Sequence, residues 1–573
     1  SDFSSVTGTL AFGNRIMTES FTDPITRCSR FFLLKRLTHY EFGNYKRLME
    51  FNRLAGFWTL DKKNKNLPFP IEKTISLFLK PTSQERTSTM IITQVIEKIV
   101  EFREALYESF KYRADALMDL LDALSSNSGA RSVVELSLNP LFRRNYSSVE
   151  KAIDEFSAVS KNESVANETE IKEEEEKVRL AIIGEHIPAL DERKFHLLAT
   201  DVTPQPRPFA ITLTDRKVVH APNATLSNKP IAIGHEYSHL VYLPEKQSQQ
   251  APPWVIPLSV RRVSSTQNGI SVGAAQLNTV IDEPALPFAS QLCLHVGDGS
   301  YSTVRHISQG KKHENLVLAA RLRSNRSLYC QPQQVTLNAK GHPIWYGKLF
   351  KVKNANHNSA HEKIETTYTS RNGHTFKVRI KAWHNLLMRG KKDCPMHDCP
   401  LTLLCINAYK SNGKPLYRRP LLLIVAGQRR QQISIIDIWM AYGQRYDIEH
   451  YFRFGKQRLL ASSFQTPNTQ HEENWWQLTA LAYFQLFLAA PLAQRLPRPW
   501  EPKKLPASSS LLSPSLVQRD FPRIIRHFGT PALAPKPRGI SMGRSPGIFL
   551  IARKVAPIIF KSKKKVVSQS SLL

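Results

Sequence analysis

The spacing of apolar residues predicts a helical first part of the chain. From residue 91 to residue 124, apolar side chains recur every three or four positions, with polar residues between them. This period is typical of an amphipathic helix. A second helix is expected over residues 147–158. The acidic run around residues 173–176 is the kind of solvated segment that separates domains, so we interpret it as a boundary.

From about residue 194 the pattern changes to short apolar segments bounded by turn residues, which predict strands. These segments are residues 195–199, 209–213, 237–243, 292–296, 316–322, 344–350, 376–382, 402–408 and 421–425. The pattern becomes helical again from residue 435 to residue 460, and from residue 472 to about residue 490. The sequence thus predicts a mixed α/β protein.

The net charge points to a polyanionic partner. The chain of 573 residues has 79 Lys and Arg against 48 Asp and Glu, a formal charge of +31. Nucleic acid is the first candidate and an anionic membrane surface the second. The longest apolar stretch, residues 478–493, is shorter than the roughly 20 residues that a membrane span needs, so no membrane partner is expected. Residues 501–573 carry 14 basic and 2 acidic side chains, which suits a mobile arm on DNA.

Six cysteines in a chain of this length do not form a disulfide framework, and a reducing compartment is expected. Cys394, His397 and Cys399 lie close together and raise the possibility of a zinc site. Their spacing lacks a second pair of the usual C-x2-C kind. A loop with incidental thiols is the favoured interpretation.

Two aspartates stand at the ends of predicted strands. Asp201 follows the segment 195–199, and Asp298 follows the segment 292–296. Such a position holds a side chain rigidly at the edge of a sheet. A single acid there is more often a turn or cap residue, so neither one alone identifies a site.

A third acid belongs to a patterned helix. Tyr442, Arg445, Glu449 and Lys456 are spaced by 3, 4 and 7 residues, which places all four on one face of a continuous helix. A surface ladder of ion pairs would give the same spacing. The aromatic residue that begins the stripe fits such a ladder poorly.

Phosphodiester cleavage gives the combination a chemical meaning. Two Mg²⁺ ions roughly 3.5–4 Å apart can activate water and stabilise the leaving oxygen, and Mg²⁺ prefers carboxylate oxygens. Three acids from separate elements can hold such ions. Arg445 and Lys456 would then hold phosphates, and Tyr442 would donate to a phosphate oxygen or pack on a sugar.

The run from Tyr442 to Lys456 resembles the Y-x2-R-x3-E-x6-K signature of DDE insertion-sequence transposases at all four positions. Asp201 in Thr-Asp-Val-Thr resembles the first-acid motif of that family, and Asp298 in Gly-Asp-Gly-Ser-Tyr resembles the second. Residues 234–238, Gly-His-Glu-Tyr-Ser, are similar to a strand entry in one branch of the family. The resemblance covers about residues 90–560.

This resemblance implies an RNase H-like catalytic core with a mostly β insertion, flanked by helical N- and C-terminal regions. It implies Mg²⁺ as the cofactor, with Mn²⁺ as a substitute, and three catalytic metal ligands, namely Asp201, Asp298 and Glu449. Tyr442, Arg445 and Lys456 would bind DNA. The implied partners are transposon-end DNA, target DNA and a second copy of the chain in a synaptic complex, in the bacterial cytoplasm at the nucleoid.

The expected segments follow from the pattern and the resemblance together. They are an unassigned extension (1–89), a helical DNA-binding region (90–193), the first part of the core (194–325), the β insertion (326–430), the catalytic helix with the end of the core (431–496), and a basic C-terminal region (497–573). Because both signals begin at Met90, we expect the functional protein to begin near that residue. Trp345 and Trp383 in the insertion would either stack on a displaced base or pack its core.

The leading function is therefore cleavage and joining of DNA at the ends of an insertion sequence. The alternative is a catalytically silent DNA-binding remnant or regulator that keeps the basic surface.

Overall fold

The computed structural model describes residues 83–157, 165–221, 230–248, 251–332, 344–370, 373–501, 511–537 and 552–560. The chain divides into two units, Ser1–Gln84 and Glu85–Leu573, and the central sheet with the helices packed on it belongs to the second. The unassigned N-terminal extension lies outside the described residues up to residue 82.

Four helices begin the described chain: α1 Ser83–Ser109, α2 Ala114–Ser125, α3 Tyr146–Asp154 and α4 Val165–Gly184. The prediction of one helix over residues 91–124 is wrong in its continuity, because Arg113 adopts a left-handed φ of 50° between α1 and α2. A buried, two-pronged ion pair between Arg103 and Asp122 holds these two helices together.

The acidic run lies in α4, where Glu173 and Glu174 are exposed and Glu175 and Glu176 are partly buried. Glu176 receives hydrogen bonds from Arg261 and Ser259, both of which belong to a strand of the central sheet. An ion pair with a positive strand residue therefore attaches the acidic helix to the sheet.

Twelve strands are present in the described residues: β1 His196–Pro206, β2 Lys217–His220, β3 Ile231–Tyr242, β4 Ile256–Arg262, β5 Cys293–Gly297, β6 Leu316–Arg321, β7 Ser327–Tyr329, β8 Leu349–Lys351, β9 Glu362–Thr369, β10 Thr375–Leu386, β11 Leu401–Tyr409 and β12 Leu421–Ala426. Ten of them form one sheet in the order β2-β3-β1-β5-β6-β12-β11-β10-β9, with β4 also paired to β3. β7 and β8 form a small ribbon.

The centre of this sheet is a mixed arrangement. β1 pairs antiparallel with β3, and β3 pairs antiparallel with β4. On its other side β1 pairs parallel with β5, and β5 pairs parallel with β6. A large central sheet flanked by helices is consistent with the expected RNase H-like fold of DDE nucleases.

The strands of the expected insertion continue this sheet, because β12 pairs antiparallel with β6. Two strand predictions differ from the structure. Residues 209–213 form turns between β1 and β2, and only the last part of residues 344–350 is a strand. A short apolar run without alternation does not show whether a neighbouring strand is available to pair with it, so such runs are weak predictors of strands.

Seven further helices complete the described chain: α5 Gly269–Asp282, α6 Val304–Ile307, α7 Gln309–Lys312, α8 Ile435–Gln444, α9 Asp447–Arg458, α10 Thr469–Ala489 and α11 Pro514–Ile524. α10 packs against β4 and α2, and its Trp475 and Trp476 are core residues. Where the structure describes helices, none has the length and apolarity that crossing a bilayer requires.

The basic C-terminal region includes a packed helix. Val517, Phe521 and Ile524 of α11 are fully buried in the main core, so this part is not the mobile arm that its charge indicated. The spacing of Val517, Phe521 and Ile524 by four and three positions indicated a packed helix already in the sequence.

Candidate functional site

The parallel pairing of β1 and β5 places the two aspartates at one edge of the sheet. Ala199 lies opposite Val296 in the register, so Asp201 and Asp298 each stand two residues beyond a paired position. The backbone amide of Val202 donates to Asp201 Oδ1 over 2.8 Å. Asp298 directly follows β5, as predicted. Asp201 instead lies within β1, which continues to Pro206 and pairs Asp201 with His239 of β3, so the prediction that Asp201 ends its strand is wrong.

Asp298 is held by its own turn. The amide of Ser300 donates to Asp298 Oδ1 over 2.9 Å, and the Ser300 hydroxyl donates to the same oxygen over 2.5 Å. An aspartate that accepts from the residue two positions ahead forms a compact turn at the end of a strand. The second carboxylate oxygen is left for other partners.

The helix that carries the third acid is not continuous, and this corrects the prediction. α8 ends at Gln444 and α9 begins at Asp447. Between them the amides of Tyr446 and Glu449 donate to carbonyls three residues back. Hydrogen bonds of this kind tighten the chain to about three residues per turn. Tyr442 and Glu449 therefore lie on different helices.

Arg445 stands at this tightened turn and joins two of the acids. Its Nη1 lies 3.2 Å from Asp201 Oδ2, and its Nη2 lies 3.4 Å from Glu449 Oε1. The guanidinium carbon is 5.8 Å from the centre of the Tyr442 ring. The Arg445 side chain is only 14% exposed, so these contacts are not a surface ladder of ion pairs.

The electrostatics show that all three acids share one neighbourhood. Burial raises the pKa of Asp201 to about 6, and the charges of Asp298 and Glu449 act in the same direction, while Arg445 acts in the opposite one. Tyr301 is buried below this group, and burial together with the charges of both aspartates raises its pKa well above the usual value. The cluster thus holds more negative charge than Arg445 balances.

Lys456 lies beside the first strand. Its Nζ donates to the carbonyl of Pro204 over 3.0 Å, three residues beyond Asp201 on β1. Burial lowers the pKa of Lys456 to about 8. Its charge is therefore present at neutral pH and is lost at moderately alkaline pH.

Sequence reasoning missed a buried polar chain behind the aspartates. Thr200 Oγ1 is 2.8 Å from His295 Nε2, and His295 Nδ1 is 3.2 Å from His306 Nε2. Burial lowers the pKa of both histidines, that of His306 to about 4, so both rings are neutral at pH 7. An isolated histidine in an apolar strand gives no pattern that would distinguish it from a core residue.

Arg321 is a second residue that the sequence did not single out. It ends β6 and is exposed, and its charge lowers the pKa of Tyr442, which burial raises. Its carbonyl lies near Gly299, directly after Asp298. The sequence signal that could have identified Arg321 was a basic residue at the end of β6, the strand that pairs with β5.

The donor set of the acids fits a hard divalent cation, because Mg²⁺ and Mn²⁺ prefer carboxylate oxygens. The excess of partly buried negative charge around Asp201 points in the same direction. In the described segments, no three His, Cys, Asp or Glu side chains are arranged so that they could hold a metal ion, and at the acids Arg445 lies between Asp201 and Glu449.

The loop with the zinc candidates gives no support to zinc. Cys394 and Cys399 are free thiols. In the described chain, no group of three or more His, Cys, Asp or Glu side chains that could hold a metal ion includes them or His397. Burial raises the pKa of the Cys399 thiol, which disfavours the thiolate that zinc binds. The interpretation as a loop with incidental thiols fits these observations.

The two tryptophans of the β insertion differ. Trp383 is buried, packs edge-on against Phe350 and donates from Nε1 to the carbonyl of Ser359. It therefore belongs to the core of this region. Trp345 is 38% exposed and stacks on the ring of His397, with 4.3 Å between the ring centres.

A family model links this geometry to known proteins. Residues 105–389 match the model described as DDE superfamily endonuclease. The matched interval contains Asp201 and Asp298 and ends before Glu449. Curated proteins gave no match to the chain. Residues 105–389 are thus similar to DDE superfamily endonucleases.

Proposed function

We propose that this protein is a transposase that cleaves DNA at the ends of an insertion sequence and joins those ends to target DNA. One observation carries the proposal: acids from β1, the end of β5 and α9 meet around a single arginine, next to a region similar to DDE endonucleases. Carboxylates from three separate elements are a poor arrangement for stability alone, since like charges repel.

In this proposal Asp201, Asp298 and Glu449 hold Mg²⁺, for which Mn²⁺ can substitute. Bound divalent cations would activate water and stabilise the leaving oxygen of a phosphodiester. The protein supplies the rigid part of the site. Hydrogen bonds from Val202 and Ser300 orient the two aspartates before any DNA arrives.

The basic residues hold the DNA. Arg445 has five N–H donors, of which two face the acids, so others are left for a phosphate. Lys456 places a point charge beside β1, the strand that carries Asp201. The Tyr442 ring lies next to the Arg445 guanidinium and supports it. The partners in this proposal are transposon-end and target DNA, with two copies of the chain in the synaptic complex.

Isosteric variants test the assignment. Asp201→Asn, Asp298→Asn and Glu449→Gln should bind DNA as well as the wild type or more tightly, because each removes a negative charge. Strand cleavage should fall by orders of magnitude. The substrate is a plasmid that carries this coding sequence with its flanking DNA, incubated with Mg²⁺ or Mn²⁺. Asp437→Asn, an exposed acid on α8, is the matched control and should cleave normally.

Basic variants should fail in a different way. Arg445→Ala or Lys456→Ala should weaken end binding by roughly 1–3 kcal/mol each, as expected for a charge-assisted contact. If Glu449→Gln cleaves at the wild-type rate, the third acid is assigned wrongly. If the wild type binds DNA but never cleaves it with either cation, the protein is the silent DNA-binding form.

A further inference from the structure

A basic cleft lies beside the acids, between the core and the strands that come after β6. Its volume is about 950 Å³. One wall comes from the start of α5 and from the segment between Asp298 and α7, and the other from β7 and the residues after β10. Four cations line it, and they are Arg305, Arg326, Arg389 and Lys391.

The side chains of these cations lie at the surface and not in the core. All four are exposed, and within the described residues none of them has an ion-pair partner. A single acid, Asp393, belongs to the described lining of the cleft. Unpaired positive charges that converge on a polar cleft form a site for an anion with several charges along its length.

Two contacts connect the surroundings of the cleft with neighbours of the acids. Gly269 at the start of α5 packs against the side chain of Val202, the neighbour of Asp201. On the other side the Ser302 hydroxyl donates to the carbonyl of Gly299, the neighbour of Asp298, over 2.9 Å. Ser302 of the lining stands four residues after Asp298, so a strand that is bound at the acids would extend toward this cleft.

We infer that the cleft binds the sugar-phosphate backbone of the DNA that extends from the cleavage point. This inference rests on the proposed function, and it adds a place and four residues that the Y-x2-R-x3-E-x6-K motif does not include. A duplex presents two rows of phosphates, and exposed arginines with free N–H donors bind them without reading the sequence.

Binding of a fluorescent DNA duplex, measured against salt concentration in EDTA, tests the inference without any cleavage. The double variant Arg326→Ala/Arg389→Ala should lose two phosphate contacts. Each contact contributes a slope near −0.9 in log K against log[salt], so the slope should become shallower by about 1.8 and the affinity at about 0.1 M salt should fall roughly 60-fold. The control Lys410→Ala/Lys414→Ala removes the same charge from an exposed turn outside the cleft lining and should keep the slope.

An unchanged slope in the cleft variant overturns the inference, whereas cleavage by the wild type would still support the proposed function. Equal losses in the cleft variant and the control would mean that net charge alone acts, and this also overturns it. If an RNA duplex binds more tightly than DNA and depends on the same two arginines, the cleft binds RNA and the assignment to DNA is wrong. A silent wild type that shows the expected slopes would contradict the proposed catalysis but support the cleft.

Discussion

Replacing Asp201 by Asn should stabilise the protein at alkaline pH. The pKa of Asp201 is raised from 3.8 to about 6, chiefly by burial. Each pKa unit corresponds to about 1.36 kcal/mol, so ionised Asp201 costs the folded state about 3 kcal/mol relative to the unfolded chain. Its side chain is 23% exposed, and solvent screening makes this value an upper limit.

The sign of the pH dependence follows from the raised pKa. Below pH 3.8 both the folded and the unfolded chain carry a protonated Asp201, and no cost arises. Between pH 3.8 and about 6 the unfolded chain releases its proton first, so stability decreases as the pH rises. Above about pH 6 the cost is complete. Asp201→Asn should therefore gain roughly 1–3 kcal/mol at pH 8 and little at pH 4.

Urea unfolding at both pH values, in EDTA and followed by tryptophan fluorescence, measures this gain. Asp191→Asn removes an exposed carboxylate and should change stability by less than about 0.5 kcal/mol at either pH. Equal stability of Asp201→Asn and the wild type at pH 8 would refute the reasoning. So would a gain that does not depend on pH, because it would not come from ionisation.

Three further predictions concern charge. Removing residues 561–573, which hold four lysines and no acid, should make the salt slope of DNA binding shallower by up to about 3.6. Removal from residue 501 would also delete the buried helix α11 and unfold part of the core. An unchanged slope after the shorter truncation would show that these four lysines do not touch DNA. DNA affinity of the wild type should fall between pH 7 and pH 9 as Lys456 loses its proton near pH 8, and Lys456→Ala should lack this step in a binding titration. Glu472→Ala leaves buried Arg207 and His235 without their carboxylate, so chemical unfolding should show a loss of roughly 3–5 kcal/mol, and a loss below about 1 kcal/mol would contradict a structural role.

Elements with a strong period were predictable from the sequence, and so was the position of Asp298 directly after β5. The parallel register of β1 and β5 brings Asp201 and Asp298 to matching positions. The continuation of β1 to Pro206 was not predictable from the short apolar run that ends at Ala199. The breaks at Arg113 and at Arg445 were not predictable. At Arg113 there is no Gly or Pro and the apolar period continues, so the local pattern gives no reason for helix α1 to end. At the second break Gly443 is a weak stop signal in the last turn of α8, but the apolar period continues past it.

Long-range pairing was the second limit. The strands after residue 326 were predicted as an insertion, yet only the register of β12 against β6 shows that they extend the central sheet. The contact of the acidic helix α4 with Arg261 likewise depends on a partner that lies 85 residues away in the chain. Charge runs of this kind are usually solvated, and only the tertiary structure identifies the exception.

The break at Arg445 shapes the acidic cluster. In a continuous helix, Arg445 and Glu449 would face one side together and neither would depend on β1. The tightened turn instead directs Arg445 to Asp201 while its other nitrogen keeps contact with Glu449. One cation then serves acids from two elements, and its charge reaches Asp298 as well, since that carboxylate raises the pKa of Arg445. Because a single guanidinium cannot neutralise three carboxylates, the site keeps a negative charge that favours a divalent cation over a purely structural ion-pair network.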